Sequence, residues 1–148
     1  MRSVKLATLD DIPALAELLT HLFMQEADFS PNLYKQQVGL KSIIENPYVG
    51  HILVMKDDEQ VIGMVSLLYT ISTALGGRVA ILEDLVLTDE KRGKGEGAIL
   101  LNAAIDFAKE RGCLRITLLT DPTNHRAIRF YQRHGFVKSA MKPLRLVF

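Results

Sequence analysis

Residues 79–112 read VAILEDLVLTDEKRGKGEGAILLNAAIDFAKERG, and this stretch decides the fold. Residues 79–87 are an apolar run interrupted only by Glu83 and Asp84, as in a mostly buried strand. Gly93, Gly95 and Gly97 follow at every second position, flanked by Lys91, Arg92 and Lys94. Then Ala98, Leu101, Ile105 and Ala108 share one helical face, with Asn102, Asp106 and Lys109 opposite, and Gly112 ends the helix. A strand, a glycine-rich turn and a helix N-terminus together make an anion site. The first N–H groups of the helix lack intrahelical acceptors, and its dipole favours negative charge there. Glycine lets the backbone approach the ligand closely.

Which anion is a question of spacing. A Walker loop is excluded, because Gly93 has no glycine five positions on and no Gly-Lys-Ser/Thr follows. Gly93-x-Gly95-x-x-Ala98 fits a relaxed dinucleotide fingerprint, and Asp121 lies about where a ribose-binding acid would. Too little chain remains after Asp121 for a second mononucleotide half. The other reading is one pyrophosphate on a longer, mostly single-sided ligand.

Working outward, residues 2–8 form a first strand, and Thr8-Leu9-Asp10-Asp11 with Pro13 opens a helix carrying Leu15, Leu18, Leu19 and Leu22. A second helix spans 33–45 and stops near Pro47. Residues 51–56 and 60–70 make a hairpin about Asp57-Asp58-Glu59. After the long helix come a strand at 114–119, a helix from Asn124 to His134 closed by Gly135, and two final strands at 136–139 and 144–148. This order predicts an α/β (α+β) domain over 1–148. Its mixed, mostly antiparallel sheet has about seven strands, with helices on both faces.

The totals agree with one domain: 148 residues, 48% hydrophobic, net charge +1. The scattered basic residues exclude a nucleic-acid footprint over the whole chain. No run nears the ~18 apolar residues of a membrane span. Cys113 is the one cysteine, so no internal disulfide forms and a cytoplasmic setting is expected. His21, His51, His125 and His134 have no metal-ligand spacing, so no metal is expected.

Arg92-Gly93-Lys94-Gly95-Glu96-Gly97 resembles the acyl-CoA signature of the GCN5-related N-acetyltransferases, Arg/Gln-x-x-Gly-x-Gly/Ala. "LEDLVL" precedes it as that family's central strand does, and "NHRAIRFYQRHGF" at 124–136 is similar to the family's Asn-x-x-Ala-x-x-Phe-Tyr-x-x-x-Gly-Phe helix. The resemblance implies acetyl-CoA as cofactor. Its pyrophosphate would lie on the backbone N–H groups from Gly93 through Lys94, Gly95, Glu96 and Gly97 to Ala98, with Arg92 beside it. The pantetheine arm would pair with Leu85, Val86 and Leu87 in a gap between two splayed parallel strands, 79–87 and 114–119. The resemblance further implies Asn124, Ala127 and Tyr131 as cofactor contacts. Their spacing of 3 and 4 puts them on one helical face, with Asn124 and Tyr131 about 10 Å apart at a rise of ~1.5 Å per residue.

Acetyl transfer to an amine needs a base, an oxyanion donor and a partner for the leaving thiolate. Glu83, mid-strand among apolar residues, is the expected base or amine ligand, since such a setting raises a carboxyl's pKa. Strand alternation sends Asp84 to the other face, making it the poorer candidate. Tyr131 is the expected general acid, and the Val86 N–H the expected oxyanion donor. Glu26 and Asp28 lie in the segment that borders the family's acceptor site and suit a cationic amine. Glu96 departs from the family's aliphatic residue. An outward side chain is expected, offset by Lys91, Arg92 and Lys94, so that Glu96→Gln leaves cofactor affinity equal or higher. The function expected is direct acetyl transfer to a primary amine of a small molecule, by a homodimer as is common in the family. A protein lysine or N-terminal acceptor, and a non-catalytic CoA-binding module, are the alternatives.

Overall fold

The computed structural model describes residues 1–26 and 30–148. Strand β1 (Arg2–Leu6) is followed by helices α1 (Ile12–Met24) and α2 (Leu33–Ile44). Strands β2 (Gly50–Asp57), β3 (Gln60–Ser72) and β4 (Gly77–Leu87) come next, then α3 (Glu96–Glu110), β5 (Ile116–Leu118) and α4 (His125–Arg133). The sheet order is β1-β2-β3-β4-β5, antiparallel except for the parallel pair β4/β5.

Side-chain alternation divides the core into two layers. Leu53 and Met55 of β2 pack with Leu100, Leu101, Ala104 and Ala108 of α3. Ile52 and Val54 face the other way, onto Leu15, Ala16, Leu18 and Leu19 of α1 and Leu40 of α2. Buried Gln36 fastens α2 to α1: its Nε2 donates to Ala16 O at 2.8 Å and to Thr20 Oγ1 at 2.9 Å. The start of α1 is held by Asp11, whose Oδ2 accepts from the Thr8 N–H at 2.8 Å while Oδ1 meets Lys56 Nζ at 2.9 Å.

Two expectations need correction. The sheet has five strands rather than about seven, because residues 136–139 and 144–148 join no ladder among the described residues. Val137, Leu144, Leu146, Val147 and Phe148 are exposed. Their pattern suits a strand, but a strand exists only where a neighbour takes its hydrogen bonds. Here Pro143 offers no N–H, and the Met141 N–H donates locally to Ser139 Oγ at 3.1 Å.

The second correction concerns β4. Met64 pairs with Val86 and Ser66 with Glu83, so two steps on β3 oppose three on β4. That extra residue is a β-bulge. At the bulge Asp84 adopts φ +55, the left-handed region. The bulge switches faces: Ala80 and Leu82 pack toward α3, whereas Val86, of the same parity, packs toward α1. Simple alternation from Glu83 therefore fails one residue later.

Candidate active site

Parallel pairing of β4 with β5 runs from Ala80↔Ile116 to Leu82↔Leu118 and stops. Beyond Leu82, β4 continues to Leu87 with β3 on one edge and no described strand on the other. This unpaired edge is where the gap between splayed strands is expected. The Thr88 N–H donates to Ile62 O at 2.9 Å. Alternation along an antiparallel ladder makes Met64/Val86 the next bonded pair, so Leu85 and Leu87 turn their N–H groups into the gap. The N–H of Val86, the expected oxyanion donor, thus faces β3, whereas that of Leu85 faces the gap.

At the top of the gap the chain turns through Gly93 at φ +73 and Gly95 at φ +82. No main-chain N–H from Gly93 through Ala98 has a main-chain acceptor among the described residues, and no side chain caps α3. Lys94 is exposed. Arg92 Nε lies 3.5 Å from Asp89 Oδ1, and with the Gln25 amide turned so that its oxygen faces the guanidinium, that oxygen, at the end of α1, accepts from both terminal nitrogens at 3.1 Å.

The Glu96 side chain does not face outward. It is buried, with Oε1 2.6 Å from Arg2 Nε and Oε2 without a hydrogen-bond partner among the described residues. The first turn of α3 lies against the sheet. A residue there can offer its N–H to the loop while its side chain points into the fold.

Helix α4 closes the other wall. A Cβ placed on Gly97 would sit 3.6 Å from both Leu87 Cδ1 and Phe130 Cζ, so β4, the turn and α4 meet at this glycine. Asn124 caps α4 by accepting from the Ala127 N–H at 3.1 Å, and no described residue takes its NH₂. Ala127 and Tyr131 are half-buried on the same helix. The Tyr131 ring makes edge contacts with Phe130 and Phe136 at centroid distances of 5.3 and 5.7 Å. Burial pushes its hydroxyl up to about 12.

The carboxylates are arranged differently from the sequence expectation. Glu83 is exposed rather than enclosed by apolar residues. Asp84 is the enclosed acid: burial first, then the Glu83 and Glu26 charges, raise its carboxyl from 3.8 to about 7. Glu26 and Glu83 are thus close enough to act on Asp84, while Asp28 lies outside the described residues. Ser66, opposite Glu83 in the ladder, keeps a buried hydroxyl without a hydrogen-bond partner among the described residues. Neither Asp84 nor Ser66 is distinguishable by local pattern, because the bulge that isolates them depends on the register with β3.

The acetyltransferase (GNAT) family model matches residues 13–136, which contain the bulge, the glycine turn and α4. The chain belongs to the GNAT acetyltransferase family. It is 31% identical to the uncharacterized N-acetyltransferase YhfO of Bacillus subtilis, over 90% of this chain and 89% of that one. It is 27% identical to the aminoalkylphosphonate N-acetyltransferase of Salmonella typhimurium, over 90% and 83%. The crystal structure of a predicted acetyltransferase with acetyl-CoA from Clostridium acetobutylicum has the same fold: TM-score 0.80, 19% identity, 99% of this chain and 96% of that one. Among the described residues of this GNAT enzyme, no helix is long and apolar enough to cross a membrane, and no three potential metal ligands cluster.

Proposed function

We propose that this acetyltransferase is a single-domain, acetyl-CoA-dependent enzyme that acetylates a primary amine of a small molecule. One juxtaposition carries the reading: the row of unengaged N–H groups at Gly93–Ala98 and the open edge of β4 converge on a bulge that holds a carboxyl near pKa 7. The residues present fit the cofactor. Backbone donors and a helix N-terminus suit a diphosphate, Leu85 and Leu87 suit the amides of a pantetheine arm, and Asn124 has an amide NH₂ to give. Bound acetyl-CoA would supply an acetyl group activated as a thioester.

In the proposed mechanism Asp84, not Glu83, is the base. A group near pKa 7 is ionised often enough to accept a proton from the amine nitrogen and basic enough to do so usefully. Glu26 and Glu83 attract and orient a cationic acceptor. The Leu85 N–H is the donor for the carbonyl oxygen. Tyr131 changes role. With its hydroxyl near 12 it stays protonated, but full proton transfer to an alkyl thiolate of ordinary pKa ~8.5 would run uphill. It acts instead as a hydrogen-bond donor to the leaving sulfur. Burial also pushes the Cys113 thiol up, which keeps it protonated and favours direct transfer over a covalent cysteine intermediate. The aminoalkylphosphonate relative supports a small-molecule acceptor.

Incubating the protein with acetyl-CoA and a panel of polyamines, aminoalkylphosphonates, free-amine peptides and lysine peptides, with release of free thiol as readout, tests the reading. Turnover is expected with small amines. Turnover on peptides alone would overturn the small-molecule acceptor, and none on any amine would favour the non-catalytic module.

Two variants probe the parts. Gly95→Val places a β-branched residue at φ +82, where the strain rather than lack of space is the obstacle, since nothing lies within 4 Å. Calorimetry should show acetyl-CoA binding weakened about tenfold, in line with the ~1–3 kcal/mol of a forced backbone conformation, with circular dichroism unchanged. Glu83→Gln should lower kcat/KM by less than about tenfold, mostly through the acceptor KM, as for one exposed charge pair. A loss as large as that of Asp84→Asn would return the base to Glu83.

A further inference from the structure

The buried Glu96 carboxylate is costly where it stands. It is 1% exposed, one of its oxygens has no hydrogen-bond partner among the described residues, and it begins the helix whose N–H groups are read as the diphosphate site. A lone negative charge there would repel a diphosphate. Its partner is Arg2, on the strand at the opposite edge of the sheet from β5. Arg2 is also the cross-strand partner of Asp57 on β2. Asp57 Oδ2 in turn lies 3.4 Å from Lys91 Nζ. Both ends of the turn, Lys91 and Glu96, are therefore tied to a single cross-strand pair, Asp57 and Arg2.

We propose that the Arg2–Glu96 ion pair, with Lys91–Asp57 as its second strut, sets the position and the net charge of the diphosphate-binding turn. Arg2 is then a positioning residue for the cofactor although it acts only through Glu96. The inference rests on the reading of Gly93–Ala98 as the diphosphate site. Removing Arg2 has two consequences of one sign. The turn loses its tether, and a bare buried carboxylate is left beside the anion. Removing the Glu96 charge has consequences of opposite sign, because the tether is lost but so is the repulsion. Glu96→Gln alone is therefore undiagnostic, and the earlier expectation of unchanged or higher affinity followed from an outward side chain that the structure does not have.

The test compares CoA with pantetheine, which lacks the diphosphate. Calorimetry on the full chain measures CoA, and competition against CoA measures pantetheine. Arg2→Met should weaken CoA about tenfold, within the range over which contacting residues couple, and leave pantetheine unchanged. Arg2→Met/Glu96→Gln should return CoA to within about threefold of the parent, because no uncompensated charge remains. Should Arg2→Met fail to fold, Asp57→Asn, which leaves the Arg2–Glu96 pair in place, releases the Lys91 end and should weaken CoA about threefold with pantetheine again unchanged. Unchanged CoA affinity, or equal weakening of both ligands, would overturn the proposal. A parent protein that binds no CoA would instead overturn the diphosphate reading itself, and this inference with it.

Discussion

Asp84→Asn should lower kcat/KM by about 10²–10⁴-fold near neutral pH, the range for a lost general base, while making the protein more stable in mild alkali. The two effects share one cause. In the folded chain the Asp84 carboxyl is raised from 3.8 to about 7, first by burial and then by Glu83 and Glu26. Between those values the folded state holds a proton that the unfolded state releases, so stability falls as pH rises through the window and the penalty is complete above pH 7. A rise of about 3 pKa units corresponds to at most roughly 4 kcal/mol at 1.36 kcal/mol per unit. Asparagine cannot ionise and tolerates the left-handed φ of this site. The variant's melting temperature should match the parent's near pH 4 and exceed it at pH 8. Its pH–rate profile should lose the ascending limb near pH 7 and regain part of the rate in alkali, where the free amine forms unaided. Near-parental activity at pH 7 would remove Asp84 from the chemistry. A stability gain equal at pH 4 and pH 8 would mean the carboxyl is not held protonated.

Tyr131→Phe removes one oxygen and keeps the ring against Phe130 and Phe136. Folding and CoA affinity should change little. The kcat should fall by about 10²-fold, the lower end of what losing one preorganised donor to a developing negative charge costs. The acceptor KM should move far less, because the bond strengthens only in the transition state. A thioester of a more acidic thiol should lose less, since its sulfur carries the charge more easily. In the parent, no basic limb belonging to Tyr131 should appear below about pH 10, because the phenol is pushed up to about 12. A near-normal kcat with acetyl-CoA would leave the tyrosine as a wall of the channel.

The sequence alone determined the parts that depend on neighbours a few residues apart. The helical stripe from Ala98 to Ala108, the glycine turn at 93–97, the capping of α4 by Asn124 and the shared face of Asn124, Ala127 and Tyr131 all follow from spacing along one element. The hairpin of β2 and β3 was legible for the same reason. Tertiary structure decided what depends on a partner strand. The bulge opposite Val65 exists only in the register of β4 against β3, and it leaves Asp84 rather than Glu83 as the enclosed acid and turns the Leu85 rather than the Val86 N–H into the gap. Glu96 was assigned to solvent from its charge, yet it is buried because Arg2, more than ninety residues earlier in the chain, lies within reach to neutralise it. The strands expected at 136–139 and 144–148 failed for the converse reason. Their apolar pattern is local, but the hydrogen bonds that make a strand must come from another one.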